Sequence, residues 1–552
     1  MRTSRKGSSQ ERSCVNAIPE IRPSLASQIA SGALFTTVAT ASKLVSGTLL
    51  QMILVRMVTV EEFGLYKLAM ELSSFAIMFA TFFVGGNGAA AVTRITAVRA
   101  AQGDVVGVRS GVVTGLWSVA FLSVFLFAAG FLSIPVLLER VFQIPTNQIA
   151  EAVPFFQWFL VYIFLSSLST VVGAALRSCE FFRAFSLTES LANIFRLLLV
   201  PLLVYLGWGL NGIVWGISGA LLIGIVPGLW IIETFTRGRH AIDRRARQYA
   251  HDLKELTAFG VPVFISTLSS TVYYSADTLI IGYYLPVKYV AVYAAGIVLV
   301  HSLLNLFSGL ESALFPILSS SLEQREKGQE GVILGKAYRL LIVIAAPASV
   351  YSYVMTPYMV RLLFGVDYFD AVTPSRILTI LVLAWALMPA SVMFLSTGKP
   401  EINARLGVIS AVLNIVFDIA LIPLLGIIGA ALSNASSRLY GEVQGARICA
   451  RLFGARFPWY YCAKVFVMSV ACILPVRAAL WSWSAESVGF GAAFFILMAS
   501  ALLYGLIFGL ALLWSPLLTE QDKRIMGDLL EKTPLRALKR LLKLGNTDHD
   551  AA

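Results

Sequence analysis

Charge is what this 552-residue chain has least of: Asp, Glu, Lys and Arg make up 13% of it. A soluble domain carries about 25%. The deficit runs along the whole length, which excludes a soluble enzyme held by one anchor. Histidine is scarcer, with four residues, two of them (His240 and His251) in a basic loop, so no zinc site is expected. The five cysteines (Cys14, Cys179, Cys449, Cys462 and Cys472) are odd in number and never spaced Cys-x-x-Cys, which speaks against a disulfide framework. Gly-x-Ser-x-Gly is missing. Gly85-Gly86-Asn87-Gly88 lacks the preceding strand and the following Gly-Lys-Ser/Thr of a phosphate loop and reads as close helix packing. No acidic cluster of the kind metal-dependent glycosyltransferases use stands at an outer face. The expectation is therefore no enzyme, no catalytic residue, no metal and no cofactor. No cleavable signal peptide is expected either, because residues 1–28 are polar and basic, and Cys14 lacks the small apolar residues of a lipoprotein site.

Apolar runs of roughly 18 to 30 residues fill the space that charge leaves, and they recur about fourteen times. Gly111 to Ile134 carries no charge and is long enough to cross ~30 Å of hydrocarbon at ~1.5 Å per residue. Each run reads as a helix, since a backbone facing lipid must bond within its own segment. The first is placed at 29–56, the second at 68–92, the seventh at 259–285 and the last at 488–514. The longest segments on the outer side, near 136–152 and 365–374, are too short to build a core of their own. The fold class expected is all-α integral membrane, with about fourteen transmembrane helices.

The net charge of +12 suggests nucleic acid until its placement is considered. Of 43 Lys and Arg, 33 fall in segments at alternate gaps: 1–28, 93–109, 177–186, 236–255, 321–339, 397–405, 447–464 and 515–552. That is the positive-inside bias. It predicts a multi-pass protein with both termini in the cytoplasm and no nucleic-acid partner. The densest cluster, Arg237 to Arg247, suits anionic membrane lipid. Beyond Thr533 and Pro534, Leu535, Leu538, Leu541 and Leu542 face one way between basic residues, as in a helix lying on the inner leaflet.

An internal repeat divides the chain. Val58-Thr59-Val60 through Tyr66 aligns with Leu285-Pro286-Val287 through Tyr293, and Asn193 through Pro201 aligns with Asn414 through Pro423. Glycines follow the second pair in each copy: Gly209 and Gly212, then Gly426 and Gly429. Six spans per repeat give both copies one orientation, hence a pseudo-two-fold along the membrane normal. The organisation expected is a basic tail at 1–28, an N-lobe at 29–235, a basic linker at 236–258, a C-lobe at 259–450, two further spans in 463–514 and a basic tail at 515–552.

Ionisable residues inside spans cost ~2.5–3.5 kcal/mol at the bilayer centre, so they face the interior or a wet cavity. Thr36, Thr40, Lys43, Gly47 and Gln51 share one face of the first helix, a stripe suited to an anion; the alternative is a lysine snorkelling to the interface. Asp277 shares a face with Ser266, Ser270 and Tyr273, and suits a cation, a proton or a fixed ion pair. Arg196 and Asp418 stand at matching repeat positions beside Asn193 and Asn414; Arg196 suits phosphate, or else the two pair with each other. Arg438 and Glu442, four residues apart, read first as a mutual pair. His301, Asn305, Ser308 and Ser312 form a polar face with Glu311 beside it. Lys43, Arg196, Thr40, Gln51, Asn193, Tyr273 and Asn305 are thus the substrate-binding candidates. Asp277, Asp418, Glu311, Arg438 and Glu442 are the coupling or ion-pair candidates.

At these residues a resemblance emerges. Arg56 with Glu62-Phe63-Gly64-Leu65-Tyr66 resembles the first turn of polysaccharide exporters and oligosaccharide-lipid flippases, with Met57-Val58-Thr59 where leucine and glycine are usual. Phe259-Gly260-Val261-Pro262 and Asp277 through Tyr283 are similar to the same family's seventh helix. Arg361 through Gly365, Asp367-Tyr368, Thr397-Gly398-Lys399-Pro400 and Gly426 through Ala431 continue the likeness over residues 28–455. The resemblance is to the multidrug/oligosaccharidyl-lipid/polysaccharide (MOP) superfamily. It implies two six-helix lobes in a V around a central cavity, with the last two spans added beside them. It implies a plasma-membrane flippase that carries undecaprenyl-pyrophosphate-linked oligosaccharide outward, with H+ or Na+ as coupling ion. Membrane lipids, a polysaccharide polymerase and export proteins are the other partners implied. The alternatives are a drug antiporter of the same fold, and a polymerase or ligase.

Overall fold

The computed structural model describes residues 25–236, 246–323 and 330–517; the N-terminal tail, the cluster Arg237 to Arg245 and the C-terminal amphipathic segment lie outside the described residues. No strand occurs among those described. The helices in chain order are α1 (Leu25–Met57), α2 (Val60–Ala80), α3 (Ala90–Ala101), α4 (Val105–Val136), α5 (Thr146–Ser178), α6 (Phe182–Leu203), α7 (Gly209–Thr236), α8 (Ala246–Tyr284) and α9 (Val287–Glu323). They continue as α10 (Glu330–Leu363), α11 (Val372–Leu378), α12 (Ile380–Ala384), α13 (Pro389–Ser396), α14 (Pro400–Leu425), α15 (Ile427–Phe453), α16 (Trp459–Ala479) and α17 (Phe490–Trp514). Twelve stretches of the described residues are long and apolar enough to cross a membrane. One of them, Phe182–Thr236, holds two helices, α6 and α7, packed on each other. α15 is not among the twelve, though it was expected as a span. Its Arg438, Glu442 and Arg447 lower its hydropathy.

Outward faces are apolar, as a lipid solvent requires: Trp117, Phe121 and Phe125 on α4 and Leu502 and Leu506 on α17 are all exposed. α16 and α17 pack against α10, where the Tyr351 hydroxyl donates to the Leu497 carbonyl (2.7 Å) and Arg361 Nε to the Val488 carbonyl (2.8 Å).

The second span starts earlier than its hydropathy suggests. Thr59 caps α2: its hydroxyl accepts from the Glu62 N–H, and the Glu62 carboxylate accepts from the Thr59 N–H at 2.7 Å. The helix thus begins at Val60 instead of 68, which brings Lys67 inside it. It also ends early. Gly85 (φ 95°) and Gly86 (φ 77°) take left-handed conformations that break the expected continuous span, and α3 follows as a separate helix. A Cβ on Gly86 would lie 2.8 Å from Thr267 of α8, so that glycine does serve close packing; Gly88 has nothing near it.

The repeat is visible in backbone geometry. Gly209 (φ 52°, ψ −137°) and Gly426 (φ 62°, ψ −140°) adopt nearly the same conformation, one open essentially to glycine alone, and each turns one helix back on the next. The other repeated segment packs on its own counterpart: a Cβ on Gly64 would collide with the Val287 carbonyl oxygen, so α2 meets α9 backbone to backbone.

α8 crosses between the two halves of the chain. The part of the basic linker from Ala246 on is the first part of this single 39-residue helix. Its start is tied to α3 and α4. Arg99 Nη2 binds Asp252 and Glu255, each at 2.8 Å, Arg99 Nη1 donates to the Gly107 carbonyl, and the Ser110 hydroxyl donates to Asp252. Burial opposes the Arg99 charge, but the two carboxylates outweigh it and hold its pKa above the ordinary guanidinium value. Further along, a Cβ on Gly260 would meet the Phe83 carbonyl, while the last turns of α8 face α14 and α9.

Gly64→Val should push α2 off α9 by overpacking a backbone contact, at a cost of about 1–3 kcal/mol. Thermal unfolding of the detergent-solubilised protein should show a lower midpoint than wild type, and an unchanged midpoint would contradict the α2–α9 contact.

Candidate functional site: two enclosed polar clusters

The first cluster lies among α1, α2, α5 and α6. α1 and α6 pack closely because Gly47 leaves room: a Cβ there would stand 3.9 Å from Arg196 Nη2. Arg196 Nη2 donates to the Ser46 hydroxyl at 3.3 Å, and its Nε is buried with no acceptor among the described residues. Tyr66 and Tyr162 lie within its electrostatic reach. Asn193, one turn earlier, is buried with its Nδ2 unpartnered. On α2, Lys67 Nζ donates to Gln51 Oε1 at 2.8 Å and stands 5.4 Å from the Phe63 ring centroid. Glu71, one turn along α2, is its electrostatic neighbour and lies beside Ser275 of α8. Lys43 is exposed on α1 and makes no ion pair among the described residues, and the Thr40 hydroxyl turns back to the Thr36 carbonyl.

Arg196, Gln51 and Asn193 gather in one region, while Lys43 and Thr40, expected on one face with Gln51, are exposed on α1. Lys67 and Glu71 are central to the region and were not among the sequence candidates. The readable signal for Lys67 was the Thr59–Glu62 capping box, which moves the helix start and places the lysine within the span.

The second cluster lies among α8, α9, α14 and α15. Asp277 is buried; its Oδ2 accepts from the Tyr293 hydroxyl (2.5 Å) and from Asn434 Nδ2 (2.7 Å). Asp418 and Asn414, both fully buried, approach Asp277 closely enough to interact. Neither closes a hydrogen bond of normal geometry. Both oxygens of Asp418, both amide atoms of Asn414, Oδ1 of Asp277 and Oδ1 of Asn434 are buried without a partner among the described residues. Two carboxylates in an apolar interior need a proton or a cation between them.

This arrangement corrects two sequence expectations. Arg196 and Asp418 do not pair, since each belongs to a different cluster. Asp277 has no cationic partner among the described residues, because hydroxyl and amide groups surround it and no lysine or arginine pairs with it. Arg438 and Glu442 line a cavity beside α14 together, and Arg438 Nη1 lies 3.5 Å from His301 Nε2 of α9. Asn305 is exposed on α9. The side chains of Tyr273, Ser308, Glu311 and Ser312 lie outside the described ones.

A helical bundle that spans the membrane many times and encloses such clusters defines a class: a multi-pass membrane protein of MOP-superfamily fold. The chain belongs to the polysaccharide biosynthesis protein family, whose model matches residues 29–322, just over half its length. A second model, MatE, matches residues 262–420. The curated relatives include the "Probable flippase AglR" of Haloferax volcanii, 25% identical over 53% of this chain and 62% of that protein. They also include the "Probable lipid II flippase MurJ" of Helicobacter pylori, 23% identical over 51% of this chain and 66% of that protein. The chain therefore spans a little under two thirds of the length of these relatives. Among solved structures, the lipid II flippase MurJ in an inward closed conformation covers 86% of this chain and 98% of its own, at TM-score 0.66 and 15% identity. An inward-facing multidrug resistance MATE family transporter covers 77% and 98%, at TM-score 0.62 and 15% identity. These two likenesses concern the fold.

Lys67 and Glu71 should depend on each other. Lys67→Met and Glu71→Gln each leave one half-buried charge without its neighbour, while the double variant removes both. Thermal midpoints in a double-mutant cycle should give a coupling of about 0.5–3 kcal/mol. Additive losses would mean that the two do not interact.

Proposed function

We propose that this protein flips lipid-linked oligosaccharide units, carried on undecaprenyl pyrophosphate, from the inner to the outer leaflet of the plasma membrane by alternating access. On this reading the basic segments and both termini face the cytoplasm, and α1–α7 and α9–α15 act as the two moving lobes joined through α8. The observation that carries the proposal is Arg196. It is a guanidinium held inside the bundle, bound by one serine hydroxyl, with Nε unpartnered and no carboxylate paired to it among the described residues. Such a group suits a phosphate oxygen, through two parallel hydrogen bonds. Lys67 and the exposed Lys43 add cations, and Gln51, Asn193, Tyr66 and Tyr162 supply the amides and hydroxyls a sugar needs. Membership in the polysaccharide biosynthesis family and flippase relatives support the same reading. No bond is broken in such a step, so no nucleophile is required. A polymerase and an exporter would take up the product.

The Asp277–Asp418 cluster supplies the driving ion, H+ or Na+. Five of its six unpartnered atoms are oxygens, acceptors for a small cation and not for a drug molecule. With both aspartates essentially inaccessible, an organic cation has no room there, which disfavours the antiporter alternative.

Vesicles holding the full chain and a fluorescent undecaprenyl-pyrophosphate sugar would test this. Wild type should move the label between leaflets. Arg196→Ala should slow it about 10- to 100-fold, consistent with the loss of one charge-assisted hydrogen bond of ~1.5–3 kcal/mol. Lys43→Ala should slow it less, and Asp277→Asn should abolish its dependence on a Na+ or pH gradient. Full transport by Arg196→Ala at equal protein level would remove Arg196 from the mechanism.

A further inference from the structure

A cavity of about 1160 Å³ opens within the C-terminal half, walled by α8, α13, α14 and α15. It lies apart from the Arg196 cluster, and nothing above gives it a role. Three of its walls carry polar residues in helical register with the aspartate cluster. On α14, Ser410, Asn414 and Asp418 follow at four-residue steps, and all three are buried. On α15, Asn434, Arg438 and Glu442 follow at the same steps, and on α8, Ser270 stands seven residues before Asp277. Ser410 and Arg438 line the cavity, so its inner end lies one helical turn, ~6 Å, from Asn414, both of whose amide atoms are unpartnered, and from Asn434, whose Oδ1 is. Its other end reaches Pro400 and Glu401 at the start of α14, in the segment read as cytoplasmic.

We propose that this cavity is the cytoplasmic vestibule through which a small monovalent cation reaches and leaves the Asp277–Asp418 cluster, with Arg438 as its charged gate. The proposal rests on the cation reading of that cluster. Glu401 and Glu442 share the vestibule wall with Arg405 and Arg438, two carboxylates with two guanidinium groups. Arg438 stands between vestibule and cluster. Gly441 lets α15 press against Ser410, since a Cβ there would collide with its hydroxyl, so the passage beside the guanidinium is narrow. His301 of α9 flanks Arg438 on its far side. A cation must pass this fixed positive charge, which slows exchange without altering the ligands of the cluster. The vestibule exists where the early part of α8 lies against the N-terminal half, held by Arg99 and Asp252. Movement of α8 toward α14 would close it, which ties ion release to lobe position.

The test uses the full chain in proteoliposomes, with its five cysteines replaced by alanine and Ser410→Cys introduced. Paired cationic and anionic methanethiosulfonates of matched size are applied from each side, and folding is checked by size-exclusion profile. Ser410→Cys should react from the cytoplasmic side only. Adding Arg438→Gln should raise the ratio of cationic to anionic reaction rates about tenfold. Na+ or acidic pH should slow labelling in the parent and not after Asp277→Asn. Labelling from the outer side, no labelling while Ser266→Cys at the wall reacts, or a ratio unmoved by Arg438→Gln would overturn the vestibule. One-sided labelling with the expected ratio, but without protection by Na+ or acid, would instead overturn the cation reading of the cluster, and the cavity would then be no ion route. In a second readout, Arg438→Gln should speed ²²Na+ or proton exchange at least tenfold with the same ion occupancy at equilibrium; unchanged exchange rules out the gate.

Discussion

A charge placed among hydrocarbon chains must find a partner inside the protein, and the arrangement of this molecule follows from how few partners it provides. Asp277 and Asp418 approach each other where water is excluded, with a tyrosine hydroxyl and asparagine amides for company. Their combined charge is unfavourable unless a proton or a cation joins them. Arg196, in the other half, has the opposite need and a single hydroxyl to meet it. The repeat that matches these two positions in sequence separates them in space. Among the described residues, Arg196 in one cluster and the two aspartates in the other are thus left with opposite needs.

Communication between the clusters has a material path. Ser275 stands two residues before Asp277 on α8 and lies beside Glu71 of α2, whose charge acts on Lys67, which in turn donates to Gln51 of α1. α8 therefore touches the acidic cluster, the N-terminal polar network and, at its start, the Arg99 lock on α3 and α4. Binding that shifts α8 at Asp277 would be felt at all three places. That is the geometry a coupled transporter needs, because an ion moves a cargo only if the two bias one element between two arrangements.

Much of the fold was legible in the chain. Lipid leaves helices as the one economical answer for a run such as Gly111 to Ile134. The repeat was legible through Gly209 and Gly426, whose matching backbone conformations admit little else than glycine. Where the reading failed, a local interaction outweighed hydropathy: the Thr59–Glu62 box starts α2 at Val60, and Gly85 and Gly86 end what looked like a longer span. α8 was split between linker and span because Arg247 and Lys254 look like a loop when counted as charge, although Asp252 and Glu255 of the same stretch lock onto Arg99.

From the sequence alone came a many-times-spanning helical protein, its two related halves, and the short roll of embedded ionisable residues that includes Arg196, Asp277 and Asp418. Composition and periodicity determine these because they depend on each segment's own exchange with lipid. Tertiary structure alone decided which embedded charges meet. Among the described residues it set Asp277 against Asp418 and not against a cation, left Arg196 without a carboxylate, made Lys67 and Glu71 central, and turned Lys43 to the exposed side of α1. Those outcomes depend on how helices far apart in the chain face one another, and a pairing between α8 and α14 leaves no mark in the spacing of either helix.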